Sequence, residues 1–107
     1  MSPIDRTLAA LADPRRRAVV EVLRRGPRSA GDLAREIGLT PSLMSRQLRA
    51  LRESGIVEDS HPEFDTRVRV YALRTGPMVE LMRWLEETEQ AWSQQLLAFK
   101  AHIEASP

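Results

Sequence analysis

Residues 29–54 read SAGDLAREIGLTPSLMSRQLRALRES, and two short helices joined by a tight turn account for nearly all of them. Ser29 is a candidate N-cap, with Asp32 three residues later in a variant capping arrangement. Leu33, Ala34 and Ile37 then recur at helical spacing, and Gly38 supplies the left-handed residue that ends the helix. Leu39 is expected to pack back into the core. Thr40 caps the next helix, and Pro41 takes its first position, where no backbone N–H is needed. Met44, Leu48 and Leu51 make the buried stripe of this second helix, which leaves Ser42, Ser45, Arg46 and Arg49 largely on other faces, and Gly55 stops it. A helix with small polar and cationic side chains on one side fits the major groove of B-DNA, where base edges can be told apart.

Upstream, Pro3 to Ala12 reads as a first helix with Ile4, Leu8 and Leu11 on one side. Asp13-Pro14 breaks and restarts the chain. A second helix then runs to about Arg25, burying Ala18, Val19, Val22 and Leu23 before Gly26-Pro27 ends it. Downstream of Gly55 the period changes. Ile56 and Val57 open one β-prone stretch, Val68, Val70 and Leu73 with Tyr71 form another, and residues 61–66 are turn chemistry between them. The alternation places Arg67 and Arg69 on one face of this hairpin and Val68 and Val70 on the other. A basic hairpin directly after two such helices has the character of a wing.

Gly76-Pro77 starts a last helix reaching Glu104, with Met78, Leu81, Met82, Leu85, Trp92, Leu96, Phe99 and Ile103 spaced mostly by three, four or seven. Such a stripe is too long for a domain of this size to bury alone. A second copy of the chain is the expected partner, aided by the first helix. The dimer contacts are assigned to Ile4, Leu8, Leu11, Leu81, Leu85, Trp92, Leu96 and Phe99.

Composition narrows the classes. The chain has 107 residues and no cysteine, which excludes disulfides and thiolate metal sites. No apolar run approaches a membrane span and no signal-peptide core opens the sequence, so a cytoplasmic protein is expected. Net charge is only +1, but it is unevenly spread. Ten arginines stand against five acids between Pro14 and Glu58, giving +5, whereas the stretch from Gly76 onward carries −3. One end of the molecule is thus suited to an anion. Nothing supports catalysis: neither histidine belongs to a triad or a metal motif, and there is no Gly-rich phosphate loop.

LADPRRRAVVEVLRRG, then DLAREIGLTPSLMSRQLRALRESGIVE, then RVRVYAL together resemble the ArsR/SmtB family of bacterial winged-helix repressors, over about Leu8 to Leu73. The resemblance implies a homodimer joined by its first and last helices, with Thr40–Ser54 as recognition helix on operator DNA. It implies base or phosphate contacts at Ser42, Ser45 and Arg46, and a basic wing residue at Arg67. Three features depart from the family. Ser29-Ala30-Gly31-Asp32 stands where metal sensors carry a cysteine pair. The last helix offers His102 and glutamates but no partner histidine, and the wing tip is a Pro-containing loop where a Gly-Arg pair is commoner. The implied fold therefore carries over without the metal chemistry, and no cofactor is expected.

The expected architecture is a single domain, 1–107, mainly α with a small β-hairpin: an N-terminal dimer helix (1–12), a winged helix-turn-helix core (14–75) and a C-terminal dimerisation helix (76–104). The DNA-contacting set is Thr40, Ser42, Leu43, Ser45, Arg46, Gln47 and Arg49 from the helix, with Arg67 and Arg69 from the hairpin. Arg15, Arg16 and Arg17 read mainly as a solvated face. Asp59, Glu63 and Asp65 around His61 make a weak oxygen-rich cation site on paper, although a solvated hairpin tip is the preferred reading. The surroundings of Trp84 and Trp92 are the place to look for a small-molecule effector. Two alternatives stay open: a winged helix that docks another protein, and a metal-responsive repressor with an atypical site.

Overall fold

A computed structural model of the chain describes residues 1–65 and 67–105. Its elements are α1 (Pro3–Leu11), α2 (Pro14–Leu23), β1 (Arg28–Ser29), α3 (Ala30–Ile37), α4 (Pro41–Glu53), β2 (Val57–Ser60), β3 (Val70–Leu73) and α5 (Thr75–Ala105). The helix starts follow the cap chemistry. The Ser2 hydroxyl accepts from the Asp5 N–H while the Asp5 carboxylate accepts from the Ser2 N–H, closing a capping box. Asp13, Ser29 and Thr40 cap α2, α3 and α4, accepting from the backbone N–H groups of Arg15, Asp32 and Leu43 respectively. Gly38, at φ 81°, ends α3 in the left-handed conformation that a side chain would strain. That turn sets the angle between α3 and α4.

Val19, Leu33, Met44, Leu48, Leu51, Ile56 and Val57 form the fully enclosed centre of the core. Ala18, expected among the buried residues of α2, is only half-buried. The sheet has three antiparallel strands in the order β1-β3-β2, one more than the hairpin expected. The extra strand, β1, pairs Arg28 with Tyr71 and Ser29 with Val70. Two residues after a proline carry no alternation, so only their tertiary partner makes them a strand.

The hairpin corrects a second expectation. β3 begins at Val70, so Arg67, Val68 and Arg69 lie outside the ladder and the alternation assigned to them does not hold. The cause is local: the Asp65 carboxylate accepts from the Arg67 backbone N–H at 3.0 Å, and the Val68 carbonyl is held by His61 Nδ1 at 2.9 Å. Side-chain hydrogen bonds at the tip thus replace strand pairing. Of the expected turn, Thr66 lies outside the described residues.

α5 is 31 residues long, or roughly 46 Å at 1.5 Å per residue, and it runs well past the body. The chain accordingly measures 73 × 27 × 25 Å, with a radius of gyration of 19.3 Å where about 13 Å is usual for a compact domain near this length. Its first turns lie against α1, which buries Leu81 to 7% exposure. Beyond them, Leu85, Trp92, Leu96, Phe99 and Ile103 are exposed. No helix among the described residues is long and apolar enough to cross a membrane.

Candidate nucleic-acid interface

α4 has two chemically distinct sides. Met44, Gln47, Leu48 and Leu51 are buried, while Ser42, Ser45, Arg46 and Arg49 are exposed. The exposed side forms one wall of a cleft of about 460 Å³, lined by Ser42, Ser45, Arg46, Arg49, Arg52, Arg69 and Tyr71. The helix contributes residues spaced at three and four along one face, and the wing contributes Arg69 and Tyr71 from the other side. Arg46 and Arg49 have no carboxylate partner among the described residues. Arg52 and Arg69 share one, Asp59, at 3.5 and 3.2 Å.

The structure therefore brings together Ser42, Ser45, Arg46, Arg49 and Arg69 from the expected set. Thr40 stands at the edge, its hydroxyl occupied by the Leu43 N–H at 3.2 Å and within 3.4 Å of the Ser42 hydroxyl. Leu43 is half-buried. Arg67 is elsewhere, at the wing tip, 91% exposed and paired with Asp65 at 3.3 Å.

Gln47 is a correction. It is 3% exposed and faces inward, where its amide oxygen accepts from Arg16 Nη1 at 3.2 Å. Position 47 lies three residues after Met44 and four before Leu51, so helical geometry puts it on the core stripe despite its polarity. Arg16 corrects the reading of the arginine run in the same stroke. Its guanidinium also donates to the carbonyls of Ala10 (2.6 Å) and Ala9 (3.2 Å), while Arg17 donates to those of Leu11 and Ala12. Arg16 and Arg17 thus cap orphan carbonyls at the end of α1; Arg15 and Arg17 are exposed, as the solvated-face reading expects, and Arg16 alone is half-buried.

Beside them, hydrogen bonding from the Arg15 side chain, and then from its backbone N–H, holds the Asp13 carboxyl below its ordinary value of 3.8. Arg52 was missing from the expected set, although its spacing from Ser45 and Arg49 along the helix was signal enough.

The apolar side of the site lies on α1 and α5. Leu8, Leu85, Trp92, Leu96 and Phe99 of the expected dimer contacts are exposed, Trp92 at 72%. Leu11 and Leu81 are already covered within the chain: Leu11 packs on the core and Leu81 is buried where α5 meets α1. That leaves little of either for a partner. Ile4 is half-buried. Trp84 and Trp92 stand on the open surface of α5. Among the described residues no group of three or more His, Asp or Glu side chains is placed to hold a metal ion. Two of the three acids around His61 have arginine partners, Asp59 with Arg52 and Arg69 and Asp65 with Arg67.

A two-helix motif with a cationic outer face, followed by a paired wing, defines a winged helix-turn-helix DNA-binding protein. A sequence profile described as "Bacterial regulatory protein, arsR family" matches residues 13–59, the stretch from the cap of α2 to the cleft-side carboxylate of β2. The HTH-type transcriptional regulator Rv2034 of Mycobacterium tuberculosis is 33% identical over 101 residues, covering 94% of this chain and 89% of that protein. The HTH-type transcriptional regulator NmtR of the same organism is 49% identical over 51 residues, which span 48% of this chain but only 42% of NmtR. The solved structure of an ArsR-like transcriptional regulator from Rhodococcus sp. RHA1 superposes with a TM-score of 0.82 at 26% identity, covering 97% of this chain and 95% of that one. A homodimeric winged helix-turn-helix DNA-binding domain from Mycobacterium bovis shares the fold at a TM-score of 0.63 and 24% identity, over 88% of this chain and 82% of that one. The chain belongs to the ArsR family of bacterial regulatory proteins and is a transcriptional regulator with a winged helix-turn-helix.

Proposed function

We propose that this regulator is a homodimeric repressor. Two copies pair through α1 and α5 and set their α4 helices into consecutive major grooves of a palindromic operator, about one helical turn apart. The observation that carries the reading is the cleft: Ser42, Ser45, Arg46 and Arg49 exposed on one helix face, with Arg69 opposite on the wing. Arg46 reads guanine bidentately, the serines reach bases or phosphate, Arg49 serves the backbone, and Arg52 and Arg69 lend positive potential at the margin of the groove. Occupancy of the operator excludes the transcription machinery from the promoter, in the cytoplasm.

Pairing is supported by the exposed stripe of α5. Fully burying one large apolar side chain is worth about 1.5–3 kcal/mol, so covering the exposed parts of Leu85, Trp92, Leu96, Phe99 and Ile103 on both copies supplies a large favourable term against the ordering cost of association. The M. bovis domain, homodimeric by its description, has the same fold. Regulation without a resident metal is supported by the donor set, which holds no cysteine and no three-residue cluster among the described residues.

The test is selection of genomic DNA by the purified protein, followed by footprinting of the recovered sites in the presence and absence of divalent metals. The reading expects a two-fold symmetric footprint with half-sites about ten base pairs apart, insensitive to metal. Indifference to every fragment at low ionic strength would point to a protein-docking winged helix instead. Release from DNA by one particular metal would restore a metal-sensing role.

A further inference from the structure

Among the described residues, Asp59 is the one carboxylate ion-paired with arginines lining the cationic cleft. β2 carries it directly opposite Tyr71, on the cleft side of the sheet. Its Oδ2 takes Arg52 Nη1 at 3.5 Å and Arg69 Nε at 3.2 Å. Arg52 belongs to the last turn of α4 and Arg69 to the segment entering β3, so a single oxygen atom ties the helix to the wing. The Asp59 side chain is 20% exposed, while its two partners are close to half exposed. Pairs of that exposure contribute little to folding stability. The larger consequence is electrostatic: the carboxylate and a DNA phosphate compete for the same two guanidinium charges.

Resting on the reading of this cleft as the duplex-binding surface, we infer that Asp59 is a specificity-determining residue, an internal counter-ion that restrains binding to arbitrary DNA. Non-specific binding is almost wholly backbone electrostatics, and a duplex held that way is free to settle on the strongest cationic spot. Arg52 and Arg69 would be that spot, and Asp59 occupies them. In the operator complex the duplex is fixed by Ser42, Ser45 and Arg46, none of which is among the ion-pair partners of Asp59 within the described residues. The carboxylate can keep its arginines there. Asp59 thus lowers affinity for the wrong DNA more than for the right DNA, and it is the ratio of the two that governs regulation in a genome.

The experiment compares wild type with Asp59→Asn and Asp59→Glu. Anisotropy titrations use a duplex of arbitrary sequence, about 30 base pairs long to accommodate two half-sites, and an operator recovered by genomic selection, each over a salt series. For Asp59→Asn the arbitrary duplex is expected to bind roughly threefold to tenfold more tightly. Its slope of log affinity against log salt steepens by about 0.9 for each arginine released. The operator gains less, so the specificity ratio falls, and Asp59→Glu keeps wild-type behaviour. Equal weakening on both duplexes, or unfolding of Asp59→Asn while Asp59→Glu folds, makes Asp59 a structural strut and overturns the inference. So does an unchanged salt slope in a variant that still binds. If wild type itself binds neither duplex at low salt, the DNA-binding reading falls and takes the inference with it.

Discussion

α4 and α5 both present an exposed face, and the two faces are chemical opposites. α4 is closed against the core on one side by Met44, Leu48 and Leu51 and shows serines and arginines on the other. α5 is anchored at Leu81 and shows aliphatic and aromatic side chains along most of its length. A cationic face is finished by water and is stable as it stands; it becomes useful when a polyanion replaces that water. An apolar face of this length is unfinished, because a large contiguous apolar patch is rare on a soluble monomer. On the proposed reading, one helix marks a surface that meets its ligand reversibly, and the other an interface that completes the folded molecule.

The sharpest way to break that contrast is to charge the unfinished face. Trp92→Glu places a carboxylate in the middle of the stripe, 72% exposed in the single chain and covered in the proposed dimer. An unpaired charge buried on association costs about 3–5 kcal/mol. Sedimentation equilibrium is expected to show monomers at concentrations where wild type is dimeric, and operator affinity should fall with it. A variant still dimeric at low micromolar concentration would remove α5 from the interface. On the other helix, Arg46→Ala should leave the dimer intact and weaken operator binding by about 1–3 kcal/mol, as loss of a bidentate base contact does. Affinity for arbitrary DNA changes less, so a uniform loss on both would demote Arg46 to a backbone contact.

How far the sequence spoke for each region follows the same division. The recognition motif was legible nearly to the residue, because caps, a left-handed glycine and a helical stripe act locally: Ser29, Gly38, Thr40 and Pro41 do in the structure what their chemistry predicts. The stripe of α5 was legible for the same reason. What escaped depends on partners distant in the chain. β1 is a strand only because β3 lies beside it. Gln47 looked like a groove residue because polarity suggested exposure, and only the guanidinium of Arg16, 31 positions earlier, makes its burial tolerable. Arg16 in turn was hidden in a run of three arginines with three different sets of partners. Asp59 read as part of an acidic tip until the fold set it between two arginines.

Gln47 and Arg46 are neighbours that should answer differently, and this sharpens the contrast within α4 itself. Gln47→Leu keeps the volume of the side chain but removes the acceptor for Arg16 Nη1. A stability loss of about 1 kcal/mol is expected in denaturant melts, with the other two carbonyl partners of Arg16 limiting the damage. Operator affinity, corrected for any unfolded fraction, should not move. A weakened operator affinity with unchanged stability would return Gln47 to the DNA surface.

The smallest effect concerns the cap of α2, a feature common to both regions because it joins α1 to the body. Asp13 accepts from the Arg15 side chain and, at 2.7 Å, from its backbone N–H, and these bonds favour the carboxylate. Its proton affinity is consequently lower in the folded chain than the ordinary value of 3.8. The unfolded chain then takes up the proton first as pH falls, so the charge adds stability at neutral pH and loses it below about 3.8, through the folded value. Asp13→Asn keeps a good N-cap and removes only the charge. Wild type should be the more stable of the two at pH 7, with the difference between their denaturation midpoints closing as pH drops below that point. A difference that stayed constant down to strong acid would mean the cap works through its geometry alone, with the arginine beside it contributing nothing through charge.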